Sequence, residues 1–188
     1  MRQTLVLSCL LLVGAGAASA RSLPERPAKG EKPDFHVVLG AGWLTFDLET
    51  FGATGVPEPG GDRWGGAAGV GWTWADRLRL QAELGHWSLS SEATLTRASL
   101  LVLVPITGGL SVLGSLGAAN LTLATDDHLE GFEVGAGAAY AVHLVGRVSL
   151  EARYSTLIQR YFEDDVDGVT IHPDATGHLL GLHLILDL

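Results

Sequence analysis

Cysteine is almost missing from this 188-residue chain: Cys9 is the only one, and it lies in the opening stretch MRQTLVLSCLLLVGAGAASA. That stretch has a basic start at Arg2, an apolar run from Leu5 to Val13 and an A-x-A ending over Ala18 to Ala20. This is the pattern of a secretory signal peptide over residues 1–20, cut after Ala20. A lipoprotein signal would place its cysteine after the apolar run, and a membrane anchor would need a longer run. The chain left after cleavage is therefore expected to hold no disulfide, no thiolate metal site and no cysteine nucleophile.

Positive charge is also scarce. Twelve basic residues face 21 acidic ones, for a formal net charge of −9, and no lysine follows Lys32. Such a balance opposes binding to nucleic acid, whose phosphates need cations. From Asp34 onward there is no apolar run of the length that a spanning helix requires. Residues 21–33, RSLPERPAKGEKP, are rich in proline and charge and lack an apolar period, which predicts a flexible periplasmic leader.

What the chain does have is alternation. In LRLQAEL, Leu78, Leu80, Ala82 and Leu84 share one side of an extended chain, while Arg79, Gln81 and Glu83 share the other. A period of two marks a strand whose faces meet different surroundings. Eight such segments are expected, near 34–46, 64–74, 78–88, 96–105, 110–123, 131–142, 147–159 and 177–188. Each is about as long as a tilted strand that crosses a bilayer, on the order of ten residues.

The connections alternate between short and long. Ala75-Asp76-Arg77, the ITGG of residues 106–109 and the LVG of 144–146 are tight; the segments 47–63 and 160–176 are long and acidic. Short turns on one rim and long loops on the other are the habit of outer-membrane barrels, with both termini on the short-turn side.

The faces differ in kind as well. The more apolar parity carries Phe35, Val37, Leu39, Ala41 and Trp43, then Ala68, Val70, Trp72 and Trp74, then Phe132 to Tyr140, Val148 to Tyr154, and Leu180 to Leu188 at every second residue. The opposite parity is mostly glycine with a few charges. Glycine weakens a solvated strand for no gain, but it leaves room inside a narrow lumen. The leucines of LRLQAEL are thus expected to face lipid, with Arg79 and Glu83 inside. LLVLVPI, at 100–106, is apolar on both parities, so the register of strands four and five stays open.

With its signal peptide, its alternating loops, the strand RVSLEARY (147–154) after a tight turn and the closing GLHLILDL (181–188), the chain resembles the small eight-stranded outer-membrane barrels of the OmpA and OmpX type. The resemblance covers residues 34–188. It implies an all-β, antiparallel up-and-down transmembrane barrel in the outer membrane of a Gram-negative envelope. It also implies outer-membrane lipid, lipopolysaccharide and the barrel-insertion machinery as partners, and a structural or surface-interaction role with a cell-surface ligand held through acidic loops. The last strand ends on Leu188 rather than on the family's aromatic residue. No peptidoglycan-binding domain is expected beyond it.

Charges in a dry interior need partners, so Arg79, Glu83, Glu151, Arg153 and His183 are expected to form a lumen ion network rather than a catalytic group. Trp43, Trp72, Trp74, Trp87 and Tyr140 fall near strand ends and are expected to make the aromatic girdles of the headgroup layers. No cofactor, metal or catalytic residue is expected. Two further readings compete. His86 and Ser88 alternate on one strand near the long-loop rim as in lipid A deacylases, with Glu92 as an orienting carboxylate. Alternatively, a soluble lipocalin-like barrel would bury the leucines as its core. Glu163, Asp165, Asp167, Gly168 and Asp174 are spaced like part of a calcium loop, although Pro173 interrupts the segment and a solvated acidic loop is the favoured reading.

Overall fold

The computed structural model describes residues 34–51, 61–74, 78–89, 93–123, 128–162, 164–166 and 169–188. The signal and leader, 1–33, lie outside the described residues, as does the turn 75–77. The strands are β1 (Asp34–Phe51), β2 (Gly61–Trp74), β3 (Leu78–Ser88), β4 (Thr94–Thr107), β5 (Leu110–Thr122), β6 (His128–Val145), β7 (Val148–Tyr161), β8 (Asp164–Val166) and β9 (Val169–Asp187). Successive strands from β1 to β7 pair antiparallel, β7 pairs with β9, and β1 pairs with both β2 and β9. The sheet therefore closes into a ring of eight strands and leaves no free edge across the barrel. The three-residue β8 pairs with β9 alone, outside the ring.

Turn chemistry explains the rim that carries both termini. Gly108 and Gly109 have φ of 54° and 88° between the paired residues Thr107 and Leu110. Positive φ at both central positions is what a two-residue hairpin needs to match strand twist. Gly146, at φ 59°, turns β6 into β7. Pro105 cannot donate to a ladder, and the pairing of β4 with β5 shifts register between Pro105 and Thr107, where proline is tolerated in a sheet.

On the opposite rim the strands run past the expected boundaries. β1 continues to Phe51, and β9 begins at Val169 rather than near 177. The 18 residues of β1 follow a path of roughly 60 Å; at a tilt of about 40° they rise on the order of 45 Å, about 20 Å more than the apolar band of such a barrel. Part of what reads in sequence as the 160–176 loop is thus sheet that stands clear of the bilayer.

Burial follows the alternation. In β3, Leu84 is 66% exposed while Gln81 is fully buried. The same parity rule resolves β4 and β5: Leu95, Arg97, Ser99, Leu101 and Leu103 point inward with Leu113, Ala119 and Leu121, while Leu100, Val102, Val104, Val112 and Leu116 point outward.

The interior is layered. A polar zone occupies the half nearer the tight turns, beside a small apolar cluster of Leu101, Leu103, Leu113 and Ala139. Toward the long-loop rim the lumen is filled by an apolar plug that includes Leu44, Phe46, Leu48, Leu95, Leu121, Leu129 and Leu157. An expected lumen of glycine and a few charges is thus incomplete, because its upper half is packed with leucine.

Candidate functional site

The polar zone is built across the barrel. β3 and β7 stand on opposite walls of the eight-membered ring, and their side chains meet in the middle. Arg79 of β3 pairs with Glu151 of β7, and Arg153 of β7 pairs with Glu83 of β3. Arg153 also bonds to Glu151 beside it and donates to the Gln81 carbonyl at 3.1 Å. His183 of β9 lies 3.8 Å from Glu83. The structure therefore brings Arg79, Glu83, Glu151, Arg153 and His183 into one cluster, with His36 and Gln81 buried alongside.

A second cluster lies higher. Arg97 of β4 forms a two-pronged ion pair with Glu133 of β6, over Gly117 and Ala119 on the intervening strand. Gln159 donates to Glu133 at 2.7 Å, and Tyr161 donates to Gln159 at 2.7 Å. The Arg97 guanidinium also sits 5.2 Å from the Trp87 ring centroid, where the ring's negative face attracts it. Sequence reading missed Arg97, Gln159 and Tyr161 as network members; inward parity on β7 was a signal for the last two.

Close approaches make room for these groups. A side chain at Gly40 or Gly181 would overlap the His183 ring, and one at Gly65 or Gly85 would overlap the Trp87 indole. The glycine-rich parity is therefore the space the larger residues occupy.

Trp87 needs a correction. It was expected in the outer girdle, but it is 2% exposed and packs inside with the apolar plug. Its odd position on β3 gives it the parity of Gln81 and Glu83, and period-two geometry overrides its nearness to a strand end. Trp64 takes the outward place instead, edge-on to Trp43 with ring centroids 5.2 Å apart. Trp72 and Tyr140 are half-buried and Trp74 is exposed, all toward the tight-turn rim.

The outside is apolar over a continuous belt. Leu39, Val70, Leu84, Leu100, Leu116, Val134, Ile158, Leu182 and Leu184 are all exposed, far beyond the isolated apolar patches of a soluble surface. Polar outward residues are interspersed toward the long-loop rim: His86 with Thr96 at 3.0 Å, Thr122 with His128 at 3.1 Å, and Tyr154, below Ile158 on β7, with His178 at 3.0 Å. Arg160 grips Asp174 with two bonds of 3.1 and 3.2 Å.

His86 and Ser88 do share a face, and it is the outward one. The Nδ1 of His86 is engaged with Thr96, and Glu92 lies outside the described residues. Of the calcium-loop set, Asp165 lies on β8 and Asp174 is held by Arg160, while Glu163, Asp167 and Gly168 lie outside the described residues.

A closed ring of eight antiparallel strands, apolar outside and polar or packed within, defines a small membrane barrel of the outer-membrane kind. Solved structures share this fold. The crystal structure of Neisserial surface protein A aligns over 82% of this chain and 97% of its own at 13% identity, with a TM-score of 0.53. Outer membrane protein AlkL, solved by solid-state NMR in DMPC bilayers, aligns over 89% and 96% at 11% identity, with a TM-score of 0.52. No protein-family model matches the chain, and no curated protein sequence does.

Proposed function

We propose that the chain is an integral outer-membrane barrel with a structural or surface-interaction role, whose long acidic loops face the cell exterior. The observation that carries this reading is the inversion of faces: exposed leucine outside, ion pairs inside. A lipocalin-like barrel needs a solvated outer surface and an open apolar cup, and this barrel has neither. Its lumen is crossed by side chains from opposite walls and filled above by leucine, as an eight-stranded ring can just manage. Among the described residues that leaves no channel for a solute and no cup for a ligand, so recognition is assigned to the parts beyond the belt, where binding residues concentrate in such folds. Outer-membrane lipid and lipopolysaccharide are its surroundings, and the insertion machinery its assembly partner.

Catalysis has little support in the geometry. A serine nucleophile needs a base within reach and a group to orient that base; on β3, His86 is instead bonded to Thr96. Fractionation tests the central claim. The mature protein should sediment with outer membranes and enter solution only with detergent, and recovery in the soluble periplasm would overturn the reading. Purified protein should release no acyl chain from lipid A; release lost in both His86→Ala and Ser88→Ala would move the protein to the hydrolases.

A further inference from the structure

Between the two polar clusters lies a small internal cavity of about 30 Å³. Its lining includes Trp87, Ser115 and His183, together with Arg97 and Arg153 from the clusters on either side. The Nε1 of Trp87, the Oγ of Ser115 and the Nδ1 of His183 are all shielded from solvent and make no hydrogen bond within the protein. Three unsatisfied polar atoms around one cavity are costly to leave dry, since each loses its hydration without replacement. Native interiors meet that cost with ordered water wherever the space is polar and holds at least one molecule, about 10–15 Å³.

The charge balance selects the ligand. Arg79, Arg97 and Arg153 are matched by Glu83, Glu133 and Glu151 in buried pairs, so an added ion of either sign would stand uncompensated. The indole can only donate, the hydroxyl can do either, and a neutral imidazole nitrogen can accept. A neutral molecule that both donates and accepts fits this set. We propose that the cavity is a built site for one or two ordered water molecules, which bridge Trp87, Ser115 and His183 and join the upper and lower ion clusters into one hydrogen-bonded interior.

The test uses the full mature barrel, ¹⁵N-labelled and folded in detergent micelles. Cross-relaxation between water and the five tryptophan indole protons is recorded, with Trp87 assigned by its loss in Trp87→Phe. The Trp87 indole proton should show a water cross-peak of the sign given by water held longer than the nanosecond range, unlike the tryptophans on the outside. Absence of that peak would overturn the proposal, as would a xenon-induced shift at Trp87 of the kind an apolar, dry cavity gives. Ser115→Leu fills the space: where it folds, the peak should vanish, and its persistence would count against this location. If Ser115→Leu does not fold, the unsubstituted barrel alone decides.

Discussion

Arg153 meets Glu151 on its own strand and Glu83 and Gln81 on the opposite wall, so its loss would leave two carboxylates buried with fewer cations. Breaking such a pair from one side costs about 3–5 kcal/mol, even though the intact pair adds little net stability over an apolar replacement. Arg153→Ala should lower the stability of the detergent-folded barrel by about that amount in urea unfolding. Arg160→Ala is the contrast. Its ion pair with Asp174 is well exposed, and water screens such pairs, so its loss should leave the unfolding midpoint nearly unchanged. Equal losses in the two variants would remove the inward cluster from the account. Gln81 belongs with Arg153 here: it is fully buried and bonded to Glu83 and Arg153, so an arginine at 81 would add a fourth cation to a balanced set rather than sit easily in an open lumen.

Each strand must satisfy lipid on one side and the lumen on the other. Leu84 lies on the lipid face of β3, and Leu84→Arg should reduce barrel stability by roughly 2–4 kcal/mol if it lies near the midplane. Ser88, on the same face and about 10 Å closer to the long-loop rim, pairs with Thr94 near the upper border of the belt, where the same substitution should cost about 0–1 kcal/mol. Folding yield into lipid vesicles of graded urea content measures both; reversal of the order would mean that the belt is misplaced along the strand. The β4–β5 turn offers an independent check. Gly109 has φ 88°, and a side chain there would overlap the Ala141 carbonyl, so Gly109→Val should cost more than about 1 kcal/mol. Gly108, with φ 54° and open space around it, should accept Asn with little change, since Asn-Gly suits this turn. Equal unfolding midpoints for Gly108→Asn and Gly109→Val would refute the turn geometry.

For the whole molecule, an even ring of strands puts both termini and the tight turns on one side of the membrane. Asp34 and Leu188 share a rim with the 107–110 and 145–148 turns, and the Leu188 amide bonds to the Phe35 carbonyl at 2.9 Å. Cys9 is the single cysteine of the sequence and lies in the stretch expected to be cleaved, so in Cys9→Ser backgrounds single cysteines report sidedness cleanly. On intact cells a membrane-impermeant maleimide should label Asp165→Cys, on β8, and leave Arg147→Cys unlabelled until the outer membrane is breached. Labelling of both only after breaching would indicate a periplasmic protein. The reverse pattern would mean an inverted barrel.

Much of this architecture is present in the order of residues, because a strand with two unlike surroundings must alternate with period two. That rule gave the number of barrel strands; the glycine-rich composition of one parity put the leucines of β3 and β9 outward and Arg79, Glu83, Glu151 and Arg153 inward, and the lengths of the connections separated the two rims. The rule failed where both parities are apolar. In LLVLVPI nothing local separates Leu101 from Leu100, and only the pairing of β4 through β5 to β6, which sets Arg97 against Glu133, puts odd residues inside. Trp87 was misread because composition near a strand end was weighed above parity. Which wall faces which is also a tertiary matter: Arg153 and Glu83 are 70 positions apart, and they meet because β3 and β7 are four strands apart in a ring of eight. The leucine plug has the same origin. Leu44, Leu95, Leu121 and Leu157 come from four strands, and a leucine on the inward parity reads like any other until the barrel's tilt brings them to one level, where packing against each other removes them from water.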